Sequence, residues 1–253
     1  MAVLFTKPKD SCALSREVFG NSKQEITMSS TNRREVLDPT DVYAKPYWDA
    51  TPAWVVRRLF ERLTLPGGNW LEPGAGKGNL IRAVARTDVK WTALELREEC
   101  RPHLESLDPR PEIVITDKFI ESVADSQKPL YGRKFNVAIG NPPYPRALKF
   151  IQESLKLADT VVMLLRLNFL GSSKRAQFMW DHTPDVYVLP NRPSFTGKGA
   201  ANMEYGWFVW RHGDAGRSEG KLIMLAETPR AERQVKSKLR RAKTKAVGSF
   251  RAA

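Results

Sequence analysis

The tetrapeptide Asn141-Pro142-Pro143-Tyr144 offers the clearest chemistry in the sequence, and it follows directly on an apolar run and a glycine. Its two prolines fix the backbone and remove two N–H donors, which leaves the backbone carbonyls and the Asn141 amide oxygen as rigidly held acceptors. Such acceptors suit an amine donor, and the Tyr144 ring offers a face on which a planar base can stack. We interpret the tetrapeptide as a catalytic loop that aligns an exocyclic amine, with a structural turn as the alternative.

The exocyclic amine of adenine fits this interpretation. Its nitrogen is a poor nucleophile because the lone pair is delocalised into the ring, and two acceptors on its hydrogens favour a pyramidal, more reactive nitrogen. Asn141 and the Pro142 carbonyl would be these acceptors. The rate gain would then come from positioning and electrostatics, and no strong base would be required.

A second segment, Leu71-Glu72-Pro73-Gly74-Ala75-Gly76-Lys77-Gly78, lies where a first strand turns into a helix. Its three alternate glycines allow the backbone to approach a ligand that side chains would block. It is not a phosphate-gripping P-loop, because Leu71 and Gly78 stand where that motif needs Gly and Ser or Thr. We predict that a cofactor lies over this turn; the alternative is a tight connection that needs glycine for itself.

Acidic residues follow the next two predicted strands. Glu95, with Leu96 after it, lies 17 residues beyond Gly78, where a carboxylate can bind ribose hydroxyls. Asp117 would lie at the same edge of the sheet, and we assign it to the adenine end of the cofactor, with Phe119 as a stacking neighbour. The alternatives are a surface carboxylate for Glu95 and a turn-capping Asp for Asp117.

The elements that must position these residues alternate between strand and helix. A first helix is capped by Thr51-Pro52. Strands are predicted at 69–72, 90–96, 112–116, 135–139, 160–167, 185–189 and 205–210, and helices at 79–86, 98–107 and 145–157. This alternation predicts βαβ units around a parallel sheet, closed by an antiparallel pair formed by the last two of these strands. Residues 221–226 are a candidate edge strand.

Length and charge indicate the organisation and the partner. The 253 residues, 42% of them apolar, can bury one good core, so we expect a flexible arm at 1–40, one domain at 41–228 and a basic tail at 229–253. The net charge of +13 favours a polyanionic partner, with a generic basic surface as the alternative. Nine Lys or Arg after Pro229 favour a nucleic-acid arm over a solvated end.

Several features argue against other classes of protein. The two cysteines, Cys12 and Cys100, have no spacing typical of zinc or of a disulfide framework, and no metal is expected. No apolar run is long enough for a membrane span, and the start lacks the apolar core of a secretory signal. We therefore expect a cytoplasmic protein; the sequence leaves its oligomeric state open.

With these motifs in this order, the sequence resembles the amino-methylating DNA methyltransferases, in particular the gamma-type enzymes that modify N6 of adenine. The resemblance spans roughly residues 43–212 and is closest to small single-domain bacterial, phage or prophage members. It implies the class I S-adenosylmethionine-dependent methyltransferase fold, an α/β Rossmann-like architecture with a mostly parallel seven-stranded sheet and an antiparallel closing strand. It also implies S-adenosylmethionine as the cofactor and nucleic acid, DNA before RNA, as the partner.

The resemblance assigns roles residue by residue. Tyr47 and Thr51-Pro52 are similar to a motif that holds the methionine of the cofactor, and Phe195 is similar to an aromatic that sandwiches the flipped adenine with Tyr144. The implied catalytic residues are Asn141, Pro142, Pro143 and Tyr144. The implied cofactor contacts are Tyr47, Thr51, Pro52, Glu72, Pro73, Gly74, Ala75, Gly76, Gly78, Glu95, Leu96, Asp117, Phe119 and Asn141.

Other functions remain open at this point. An RNA adenine methyltransferase is the nearest, although the adenine dimethylases typically carry one proline before the aromatic, whereas this chain has two. A protein glutamine methyltransferase is disfavoured by the basicity and by the Phe195 loop, and a non-catalytic protein by the intact Asn141 and glycines. Methylation at a cytosine carbon needs a cysteine nucleophile near the tetrapeptide, which is absent. Few residues follow the resemblance, so short or relaxed sequence specificity is expected.

Overall fold

The computed structural model describes residues 50–116, 119, 130–195 and 199–233. The predicted arm at 1–40, Tyr47 and Asp117 lie outside these residues, as does most of the tail predicted at 229–253. The division into arm, domain and tail therefore stays a prediction.

The described chain forms one sheet of eight strands. The strands are β1 (Gly68–Pro73), β2 (Val89–Glu95), β3 (Glu112–Ile115), β4 (Phe135–Gly140), β5 (Ala158–Arg166), β6 (Asp185–Val188), β7 (Tyr205–Arg211) and β8 (Leu222–Met224). Their order is β3-β2-β1-β4-β5-β7-β6-β8, and β7 runs antiparallel to both of its neighbours. The sheet thus has one strand more than seven, and the additional strand is β8, from the candidate edge segment 221–226.

Helices flank the sheet. They are α1 (Ala53–Phe60), α2 (Asn79–Val84), α3 (Arg101–Glu105), α4 (Ala147–Leu157), α5 (Ala176–Asp181) and α6 (Arg230–Arg233). The helix predicted at 98–107 is a 3₁₀ turn followed by α3, because Pro102 is tolerated only in the first turn of an α-helix. The sequence gives little signal for α5, which is short and leaves Trp180 47% exposed. Within the described residues, no helix has the length and apolarity needed to cross a membrane.

Both faces of the sheet are buried, as expected for parallel strands covered by helices. Along β5, Val162 and Leu164 face one apolar layer, while Val161, Met163 and Leu165 face the other. The first layer contains α1, which is joined to β7 where the indole N–H of Trp207 donates to a backbone carbonyl of that helix at 3.1 Å. The two layers hold the sheet rigid beneath the loops at its edges.

The strand order changes direction between β1 and β4. These strands are neighbours, although the chain passes through β2 and β3 on one side before returning to β4 and β5 on the other. Ligands of open parallel sheets bind at such a switch, outside the carboxyl ends of the strands. Because β7 is reversed, the loop between β6 and β7 reaches the same edge. The glycine turn, the tetrapeptide and Phe195 therefore all lie at this edge of the sheet.

The chain after β8 contacts the first helix. The Arg58 guanidinium donates to the Thr228 hydroxyl at 3.0 Å and lies 3.3 Å from the Glu232 carboxylate. The first residues of the predicted basic tail thus form α6, which is joined by ion pairs to α1.

Candidate active site

The glycine turn leaves the carboxyl end of β1 and begins α2. The amides of Gly74 and Ala75 both donate to the Leu94 carbonyl, at 2.8 and 2.9 Å, which ties the turn to β2. Gly76 and Gly78 have positive φ angles of 53° and 70°. A Cβ on Gly78 would lie 2.5 Å from a Leu107 methyl group, whereas one on Gly76 would meet nothing within 4 Å. A side chain at Gly78 would thus displace Leu107, while Gly76 borders open space.

Glu95 lies beneath this turn. One carboxylate oxygen accepts from the Gly76 amide at 2.7 Å, and the other accepts from the Arg97 amide at 3.2 Å. The side chain is only 4% exposed, and the Arg97 guanidinium lies 3.7 Å away. The sequence predicts that Glu95 binds ribose hydroxyls, and this role stays a prediction. In the structure its carboxylate holds the backbone of the turn in place. Leu96 follows it directly at the end of β2.

Glu72 is a buried carboxylate near the end of β1. It is 4% exposed, and its Oε2 atom has no hydrogen-bond partner among the residues that the structure describes. Burial raises the pKa of this carboxyl well above its usual range; the Ile81 backbone amide opposes that shift, and the charge of Glu95 adds to it. Most buried carboxylates are paired with a cation or a set of donors. This oxygen is an acceptor for which the described residues supply neither a donor nor a cation.

The end of β4, which leads into the tetrapeptide, lies against the end of β1, which leads into the glycine turn. A Cβ on Gly140 would lie 3.3 Å from the Pro73 carbonyl oxygen, so glycine allows the end of β4 to approach the end of β1 this closely. Pro142 is buried and Pro143 is exposed. The predicted catalytic loop and the predicted cofactor turn are thus neighbours.

Asn141 is oriented by two side chains. Its Nδ2 donates to the Thr51 hydroxyl at 3.2 Å, and its Oδ1 accepts from the Tyr144 hydroxyl at the same distance. Thr51 is buried ahead of α1, whose N-cap is Pro52. The amide nitrogen of Asn141 therefore bonds to Thr51, and its amide oxygen faces the Tyr144 hydroxyl. Sequence reasoning placed Thr51 and Asn141 in one site but did not predict their contact.

This contact leads to a prediction. Thr51→Val keeps the shape of the side chain but removes the hydroxyl, so Asn141 loses its partner. We expect kcat to fall about 2- to 13-fold, the equivalent of one neutral hydrogen bond worth about 0.5 to 1.5 kcal/mol. The measurement is turnover at saturating cofactor, with the exposed Thr87→Val as the control. An unchanged kcat with weakened cofactor binding would restrict Thr51 to a cofactor contact.

Aromatic rings gather at the same edge. Tyr144 and Phe195 both lie against Tyr205, with ring centroids 5.7 and 5.1 Å away. Tyr205 opens β7 and is 3% exposed. The sequence predicts roles for Tyr144 and Phe195 but assigns Tyr205 only to a strand. Its position directly after the Phe195 loop is the one feature of the sequence that could have placed Tyr205 near the site.

Phe119 lies in the core, 5% exposed, with its ring 5.1 Å from that of Phe150 on α4. A Cβ on Gly74 would lie 3.8 Å from the same Phe150 ring. Phe119 is predicted as a stacking neighbour of the cofactor. In the structure it contacts Phe150, and Phe150 is the ring that lies next to Gly74 of the glycine turn. Phe150 is the nearer aromatic, and sequence reasoning missed it because it reads as an ordinary apolar position of a helix.

The remaining chemistry of cysteines and metals is limited. Cys100 is fully buried, and desolvation, reinforced by the charge of Glu95, raises the pKa of its thiol to about 12. A thiol in this state is a poor nucleophile. In the part of the chain that the structure describes, no group of three or more His, Cys, Asp or Glu side chains could hold a metal ion.

The strand order and the reversed β7 confirm the predicted fold class. Over its described residues the chain has the α/β fold of class I S-adenosylmethionine-dependent methyltransferases. No protein-family model and no curated protein matches the sequence.

Solved structures show a general similarity. A Listeria monocytogenes protein described as a class I S-adenosylmethionine-dependent methyltransferase is 12% identical, with a TM-score of 0.49 over 68% of this chain and 61% of that chain. The methyltransferase subunit of a type I restriction-modification system from Streptococcus thermophilus is 13% identical, with a TM-score of 0.48 over 76% and 51%. The 23S rRNA methyltransferase ErmE is 18% identical, with a TM-score of 0.46 over 64% and 68%. The chain thus spans about three fifths of the Listeria protein and half of the Streptococcus protein, and these similarities do not identify a substrate.

Proposed function

We propose that the protein transfers a methyl group from S-adenosylmethionine to the exocyclic N6 amine of adenine in nucleic acid, with DNA as the preferred substrate. The observation that carries the proposal is the close approach of Gly140, which leads directly into Asn141-Pro142-Pro143-Tyr144, to Pro73 at the start of the glycine turn, at the switch in strand order. An amine-aligning loop and a cofactor turn must be neighbours for a methyl group to pass between them.

The residues at the turn fit this cofactor. When bound, S-adenosylmethionine supplies an electrophilic methyl group on a positively charged sulfur. The unpartnered Glu72 oxygen suits its positive charge, and Gly76 leaves open space where a side chain would stand. Glu95 holds the turn, and Phe150 with Phe119 forms an apolar wall beside Gly74. Tyr47 and Asp117 keep their proposed cofactor contacts as predictions.

The chain's own residues account for the alignment of the amine. Thr51 holds the Asn141 amide so that Oδ1 is presented as an acceptor, in the place where it now accepts from the Tyr144 hydroxyl. An adenine amine that replaces this hydroxyl would donate one hydrogen to Asn141 and the other to the Pro142 carbonyl. The Tyr144 ring would stack on the base, and Phe195 would close the pocket from the loop before β7.

Charge favours nucleic acid over a protein substrate. The net charge of +13 suits phosphate contacts that hold a strand without reading its sequence. We propose relaxed or short sequence specificity. RNA adenine methylation is the alternative within the same chemistry, and the assay below separates the two.

The test is direct. The protein is incubated with tritiated S-adenosylmethionine and with DNA or RNA of varied sequence, and the nucleic acid is digested to nucleosides. We expect the label in N6-methyldeoxyadenosine. Label in N6-methyladenosine from RNA alone would reassign the substrate, and label in neither nucleic acid would refute the proposal.

A further inference from the structure

Arg166 occupies an unusual position beside the tetrapeptide. It ends β5, where it pairs with Tyr205 of β7, and its side chain is exposed. Its guanidinium carbon lies over the Tyr144 ring, 4.5 Å from the ring centroid, and its Nε donates to the Tyr205 hydroxyl at 3.4 Å. A planar cation thus covers one face of the ring that we propose stacks on the target base.

This arginine differs from others near it. Arg175 also lies 4.5 Å from the centroid of a ring, that of Phe169, but its guanidinium donates to the carbonyls of Phe169 and Asn168 at 2.9 and 3.1 Å. Arg192 is paired with Glu204. Arg166 forms no ion pair with any residue that the structure describes, and its one hydrogen bond is long. Its charge is therefore available to an external anion.

Geometry prevents Arg166 and a base from sharing this face of Tyr144. Stacked carbon atoms lie about 3.5 to 4.0 Å apart, so a base inserted between ring and guanidinium would require about twice that separation. The guanidinium must leave before a base can stack there. A displaced arginine at the mouth of the site would meet the backbone of the strand that supplies the base.

We propose that Arg166 is a positioning residue with two states: it covers the Tyr144 ring in the empty enzyme, and it binds a phosphate beside the target nucleotide when the base takes its place. The inference rests on the proposed function, because it needs a base on Tyr144. A guanidinium suits both states, since it stacks on aromatic faces and binds phosphate oxygens through its forked donors.

The experiment compares Arg166→Ala, Arg166→Lys and wild type on the oligonucleotide that the wild type methylates. For Arg166→Ala, the slope of log affinity against log salt should decrease by about 0.9 on duplex DNA, or about 0.7 on a single strand. On duplex DNA, raising the salt from 50 to 200 mM should therefore weaken the binding of Arg166→Ala by a factor that is about 3.5-fold smaller than the factor for wild type. KM for the oligonucleotide should rise more than kcat falls. Arg166→Lys should retain the wild-type slope, because it keeps the charge.

Arg110→Ala is the matched control. Arg110 is an exposed arginine that precedes β3, at the opposite edge of the sheet, and is paired with Glu105. It should leave slope and KM unchanged. The inference is overturned if Arg166→Ala keeps the wild-type slope of log affinity against log salt. It is also overturned if Arg166→Ala and Arg166→Lys lose thermal stability equally and Arg166→Lys has the same reduced slope as Arg166→Ala. A wild type that methylates neither DNA nor RNA would instead refute the proposed function.

Discussion

Asn141→Ala should lower kcat by about 100- to 1000-fold, the range seen when one preorganised group that stabilises a transition state is removed. The Asn141 oxygen matters most as the amine nitrogen becomes pyramidal, so the loss should fall on the transition state and not on the bound substrate. The resemblance also implies a cofactor contact for Asn141, but its side chain bonds to Thr51 and Tyr144 and not to the glycine turn. Cofactor and nucleic-acid affinity should therefore stay close to wild type. Binding and catalysis would therefore separate in this variant.

The measurements are single-turnover methyl transfer and equilibrium binding of cofactor and oligonucleotide. Asn168→Ala is the matched control, since Asn168 is an exposed asparagine that follows β5 at the same edge of the sheet. It should retain full turnover. Near-normal turnover in Asn141→Ala would remove the tetrapeptide from the catalytic centre and the amino-methyltransferase proposal with it.

Much of the fold could be predicted because strand ends coincide with strong local signals. β4 was expected at 135–139 and spans Phe135–Gly140, since an apolar run is followed by glycine and two prolines. The sequence patterns for two of the helices, α3 and α5, were weaker. Pro102 shortened α3, and α5 has too little apolar periodicity to be recognised. No local pattern encodes the order of the strands in the sheet, and the resemblance implied only a mostly parallel sheet with an antiparallel closing strand.

The candidate site was predictable in part. Motifs at the ends of parallel strands must share an edge of the sheet, which is why the glycine turn and the tetrapeptide could be assigned to one site. The contacts between side chains depend on orientation and on long-range packing, which spacing does not encode. The bond from Asn141 to Thr51, the place of Tyr205 between two rings, and Arg166 over Tyr144 are all of this kind.

Glu72 shows the same limit in its electrostatics. The resemblance implied a cofactor contact for Glu72, but its lack of a partner among the described residues depends on what surrounds it in three dimensions. Burial raises the pKa of this carboxyl, so at a pH between 4.5 and the raised pKa the folded protein binds a proton that the unfolded chain has released. Folding stability must then fall as pH rises from about 4.5, the ordinary value, towards the raised pKa of the folded state.

Glu72→Gln should therefore have opposite effects on folding and on ligand binding. The neutral amide keeps the shape of the side chain but does not titrate, so it avoids the cost of burying a carboxyl whose pKa is raised. We therefore expect a more stable protein at pH 8. The gain should be on the order of 1 to 3 kcal/mol, the usual cost of an unsatisfied buried group, and should vanish near pH 4.5. Affinity for S-adenosylmethionine should fall about 10- to 150-fold, because a hydrogen bond to a charged group contributes about 1.5 to 3 kcal/mol.

Thermal unfolding from pH 4.5 to 8 and calorimetric titration with S-adenosylmethionine measure the two effects. Glu99→Gln is the control, since it removes a carboxylate from an exposed position close to the end of β2. It should change neither quantity appreciably. If Glu72→Gln is less stable than wild type at pH 8, the carboxylate has a stabilising partner in the native protein. If its cofactor affinity is also unchanged, Glu72 does not face the cofactor. A gain in stability combined with a loss of affinity would show that the protein keeps a destabilising carboxyl group at this position because the ligand requires it.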